Sequence, residues 1–82
     1  MAKAAPQYAT IQNALAELLR EYPKSHQVYY GLAEVAAKKK DNQEALKNYE
    51  LYLEYAPTNA VGEAEQERKT VEARIKELKA GK

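Results

Sequence analysis

Apolar residues recur at spacings of three and four along most of the chain, the period of an amphipathic helix. The first such stripe is Tyr8, Ile11, Leu15, Leu18, Leu19 and Tyr22. The second is Tyr29, Leu32, Ala33 and Ala36, and the third Ala45, Leu46, Tyr49, Tyr52 and Leu53. A fourth, thinner stripe runs through Val61, Ala64, Val71, Ile75 and Leu78, with the aliphatic stem of Arg68 filling its one gap. No segment alternates apolar and polar residues over a strand's length. The pattern predicts an all-α chain of four helices, from about Gln7 to Glu21, His26 to Lys39, Asn42 to Tyr55 and Asn59 to Lys79.

The breaks between stripes carry stop and start signals. Pro23 and Pro57 each close the helix before them, because proline lacks an N–H and disfavours helical backbone in its predecessor. Ser25 has the place and chemistry of an N-cap for the second helix. Asp41 and Glu44 have capping-box spacing at the start of the third. Pro6 fits the start of the first, where a missing donor costs nothing.

The breaks and stripes also repeat. Pro23 and Pro57 stand 34 residues apart, and so do Ile11 and Ala45, Leu15 and Tyr49, Leu18 and Tyr52, and Leu19 and Leu53. One offset shared by a proline and four core positions indicates stacked two-helix units. With that period and order, residues 26–59 resemble one complete tetratricopeptide repeat. Tyr29 stands at the family's first large aromatic, Leu32-Ala33 at its Leu-Gly pair and Ala36 at its next aromatic. Ala45 matches the small residue of the helix crossing, Tyr49 the aromatic of the second helix and Pro57 the closing proline. Residues 8–25 resemble the second helix of a preceding repeat. The resemblance implies antiparallel helical hairpins in a short right-handed solenoid, with residues 1–7 as a tail and 60–82 as a capping helix and its tail.

Three departures bear on packing. Lys40 occupies the turn where the family uses Gly, which predicts a left-handed residue there. Tyr52 replaces a small residue against which the next helix packs. One period after Tyr29, Leu32, Ala33 and Ala36 come Glu63, Gln66, Glu67 and Thr70, all polar. The fourth helix is therefore read as a cap with a narrow apolar seam and a wide charged face, held by Glu65–Lys69 and Glu72–Lys76 pairs.

Composition excludes several functions. A net charge of +1 gives no long-range pull toward nucleic acid or an anionic membrane. The absence of cysteine removes disulfides and thiolate metal sites. No apolar run is long enough to span a bilayer, and residues 1–7 lack the apolar stretch of a secretory signal. His26 is the only histidine and sits at a helix start, expected to be exposed and without a catalytic partner. Lys38, Lys39 and Lys40 suit a helix C-terminus without any ligand. The carboxylates of the fourth helix lie on a solvated face, and no phosphate-loop, zinc-protease or nucleophile-elbow motif occurs.

These readings point to a non-enzymatic interaction module with no cofactor and no metal, whose partner is a protein or peptide. The resemblance implies a concave groove lined by first helices, here Gln27, Tyr30, Glu34, Ala37 and Lys38, with Tyr30 as an exposed anchor. The alternative is a homodimer formed through the apolar face of the first helix, Ile11, Leu15, Leu18 and Leu19.

Overall fold

The computed structural model describes residues 7–59 and 61–81, so Pro6 and most of the tail fall outside the described residues. Four α-helices form: α1 (Tyr8–Glu21), α2 (His26–Lys38), α3 (Asn42–Tyr55) and α4 (Glu63–Ala80). No strand occurs among the described residues. Each helix packs chiefly on its neighbours in sequence, α1 on α2, α2 on α3 and α3 on α4. The short connections fold each helix back along the one before it.

The caps act largely as their residues suggest. The Val28 N–H donates to Ser25 Oγ at 3.3 Å, starting α2. The Glu44 N–H donates to Asp41 Oδ1 at 3.3 Å, starting α3. The capping box is only half made. Glu44 turns its carboxylate to Asn48 Nδ2 at 3.3 Å, and the Asp41 N–H donates to the Ala36 carbonyl.

That last bond belongs to the stop signal of α2. Lys40 N–H donates to the Ala37 carbonyl and Asp41 N–H to the Ala36 carbonyl, the paired bonds of a Schellman motif. The motif needs a left-handed residue at its centre, and Lys40 supplies it with φ 66°. A side chain with a Cβ sits where glycine is the unstrained choice.

The core forms where α2 and α3 cross. Ala33, Ala36 and Ala45 have no exposed surface, and their small size lets the two helices approach closely. Tyr49 and Tyr52 fill the space beside the crossing and are fully enclosed, with Tyr29 and Ala56 completing the cluster. From α4, Val71 enters this cluster as its single fully buried residue, while Ile75 and Leu78 pack against its edge. On the other side, Leu15 of α1 presses on Gly31 so closely that a Cβ there would meet Leu15 Cδ1 at 3.1 Å. Gly31 thus allows a close approach of α1 to α2.

Two expectations change. The fourth helix starts at Glu63 rather than near Asn59, because Gly62 has φ 69° and ψ −133°, a backbone no helix accepts. Val61 consequently stands outside the helix and is 78% exposed, and Ala64 in its first turn is exposed too, so the seam is carried by Arg68, Val71, Ile75 and Leu78. Arg68 also changes the charge pairing: Glu72 pairs with Arg68 at 3.6 Å, while Glu65 pairs with Lys69 at 3.6 Å as expected.

Replacing Lys40 with Gly removes the left-handed strain at the end of α2. The expected result of Lys40→Gly is a stability gain of roughly 0.5–1 kcal/mol, read from the urea midpoint. An unchanged or lowered midpoint would show that the turn holds no such strain.

Candidate interaction surface

The five α2 residues expected to line a groove do not form one open surface. Tyr30 is half-buried, not exposed. Its ring lies 5.8 Å from that of Tyr52 and 6.5 Å from that of Tyr49, centroid to centroid. Glu34 is also engaged, since Tyr49 Oη donates to its Oε2 at 2.7 Å and Arg74 Nε, from α4, donates to the same oxygen at 3.3 Å. Ala37 packs against the core. A groove of about 330 Å³ remains between α2, α3 and α4, lined by Glu34, Ala37, Lys38, Tyr49, Arg74 and Leu78 among others. Gln27 is exposed and borders a different groove, between α1 and α2. The placement of α4 explains the difference: its Arg74 pairs with the Glu34 carboxylate on α2 and engages part of that face.

The chemistry of this face is that of satisfied burial. Burial raises the Tyr49 hydroxyl's pKa, and its hydrogen bond to the Glu34 carboxylate raises it further. Burial, then the hydrogen bond to Glu67, pushes Tyr52 up to about 12. The hydrogen-bonding Tyr49 and the charge of Glu34 hold Arg74 above its usual value. Each phenol is used as a hydrogen-bond donor to a carboxylate on a neighbouring helix.

The first helix presents the other candidate. No residue of α1 is buried. Leu15 and Leu19 turn toward α2, and Leu19 packs against the core. Ile11 and Leu18 point outward at 44% and 46% exposure, joined by Tyr22 at 57%. The expected self-association face therefore splits into an inner pair and an outer pair, and Tyr22 belongs with the outer one. Beside the outer strip lies a groove of about 490 Å³, lined by Leu15, Leu18, Tyr22, Ser25, Gln27 and Val28. Exposed apolar side chains grouped on one face of a helix mark a contact surface more often than scattered ones do.

His26 is a correction. It is half-buried, with its ring edge-on to Tyr52 at 5.5 Å. Lys38, Lys39 and Lys40 are exposed at the end of α2, and Lys39 Nζ donates to Gln12 Oε1 of α1 at 2.9 Å. Among the described residues, no group of three His, Cys, Asp or Glu side chains is placed to hold a metal ion. Two contributors escaped the sequence reading. Gly31 gave no signal because an isolated helical glycine has many readings. Arg74 gave none because its partner stands 40 residues away.

Comparisons with protein-family models, with curated proteins and with solved structures returned no match to this chain. No helix among the described residues is long and apolar enough to cross a membrane.

The Glu34 contacts give a direct test of whether this face is structural. Glu34→Ala leaves the enclosed Tyr49 hydroxyl without its acceptor and should cost about 1–3 kcal/mol. Tyr49→Phe in the same background should recover part of that loss, because the stranded donor is gone. Fully additive urea midpoints would show that the hydroxyl and carboxylate act independently.

Proposed function

We propose that this chain is a non-enzymatic protein-interaction and scaffolding module of the tetratricopeptide kind, working through the open face of α1. Its 34-residue register and its helices stacked in chain order support the repeat reading. The observation that carries the working surface is the exposed strip of Ile11, Leu18 and Tyr22 beside the groove at the start of α2.

An amphipathic helix is the ligand that fits. Within the chain, α2 lies between α1 and α3, and α3 lies between α2 and α4. Each inner helix is thus covered on two sides by helices, whereas α1 packs mainly on α2. A partner helix laid along Ile11 and Leu18 supplies the missing second side. Covering one leucine fully is worth about 1.5–3 kcal/mol, so two or three such residues make a usable anchor. The groove lined by Glu34 and Arg74 is the lesser surface, because its polar groups already satisfy one another.

Selection of helical peptides from a display library against the chain tests this function. The expected ligands carry one apolar stripe, lose about tenfold or more in affinity for Leu18→Glu, and bind Lys38→Glu unchanged. Ligands indifferent to Leu18→Glu but lost with Lys38→Glu would move the site to α2. A chain that selects no peptide would remove the reading.

A further inference from the structure

We infer that the helix received by α1 is α1 of a second copy, laid antiparallel across a two-fold axis near Ala14. The inference rests on the working surface proposed above and names its occupant.

Three observations carry it. The first is that the strip gathers Ile11, Leu18 and Tyr22, whereas the other exposed large apolar residue described, Val61, stands alone. The outer side of α4 carries exposed Glu65, Lys69, Glu72 and Lys76, so copies cannot stack α1 on α4 without burying charge against Ile11 and Leu18. A second copy offers the strip its own exposed apolar residues as counterpart. The second is its symmetry. Ile11 and Leu18 stand one heptad apart with the small, exposed Ala14 between them. An antiparallel partner centred there sets Ile11 of one copy against Leu18 of the other and lets the helices approach at Ala14.

The third is the distribution of charge. Residues 8–16 of α1 carry no charged side chain, whereas the remainder carries Glu17, Arg20 and Glu21. Antiparallel pairing lays the charged half of one helix on the uncharged half of the other. Parallel pairing sets like charges side by side at Glu17 and again at Glu21. The start of α1 reinforces the choice. Gln7 makes no side-chain cap, and the first turn contains no acidic residue, unlike those of α3 and α4. In the antiparallel pair Glu21 of the second copy comes to that turn, where free backbone N–H groups favour a carboxylate.

The chain contains no cysteine, so single cysteines report the geometry without background. Ile11→Cys and Leu18→Cys are prepared separately, each checked for native helicity by circular dichroism. They are then oxidised alone and as an equal mixture. The mixture is expected to give mainly the mixed disulfide. Ile11→Cys alone is expected to cross-link poorly, because like positions sit about 10 Å apart along the antiparallel axis, beyond disulfide reach. Efficient cross-linking of Ile11→Cys with itself would overturn the antiparallel arrangement. Light scattering on the unaltered chain gives the second arm. A dimer that dissociates on dilution and is abolished by Leu18→Glu is expected. A monomer at millimolar concentration would overturn the second copy as occupant, while peptide binding at α1, measured as above, would leave the module reading standing.

Discussion

The close approach of α2 and α3 is the constraint from which the other features follow. It depends on Ala33, Ala36 and Ala45, which present only methyl groups where the helices cross. A larger residue at any of them would hold the helices apart and open the enclosure around Tyr49 and Tyr52. Overpacking of that kind commonly costs about 1–3 kcal/mol. The short Schellman turn at Lys40 is the covalent counterpart of the same approach. It reverses the chain over the few residues between Lys38 and Asn42, and the left-handed backbone at Lys40 is part of that tight connection.

Enclosing tyrosine where a phenylalanine would also fill space creates a second requirement. Every buried hydroxyl must find an acceptor. Tyr29 donates to the Pro23 carbonyl at 2.8 Å, Tyr49 to Glu34 and Tyr52 to Glu67 at 3.0 Å. These bonds tie α2 to the turn before it, α3 to α2, and α3 to α4. They also explain one of the polar residues that appear in α4 where the 34-residue register sets apolar ones in α2. Glu67 stands one period after Ala33, and the reach of Tyr52 makes a carboxylate useful there. The thin apolar seam of α4 suffices because hydrogen bonds supply the rest of its docking.

Much of the fold was legible because local signals agree with one another. Helix identity, the Ser25 and Asp41 caps and the proline stops all follow from a few neighbouring residues, while the left-handed Lys40 followed from the repeat resemblance, which places Gly at that turn. The core positions Tyr29, Tyr49 and Tyr52 follow from period alone. What sequence reading missed depends on distant partners. Nothing local shows that Arg74 reaches Glu34, so the α2 face read as an open groove when α4 in fact engages it. Gly62 breaks helical backbone a few residues after Asn59, and composition alone did not place that break. The division of α1 into inner Leu15 and Leu19 and outer Ile11 and Leu18 needed the close approach at Gly31, which periodicity does not supply.

Stability in this arrangement is graded. The crossing of α2 and α3 carries the enclosed residues, α4 contributes Val71, and α1 contributes none. Helices with few buried contacts open first and dock partners most readily. Native-state amide hydrogen exchange, followed residue by residue in dilute and concentrated solution, tests this account most directly. In dilute solution the slowest amides should lie in α2 and α3, with those of α1 exchanging fastest among the helices. On concentration, protection should rise in α1 while α2 and α3 stay unchanged. Exchange in α1 as slow as in α3 when dilute, and indifferent to concentration, would contradict it.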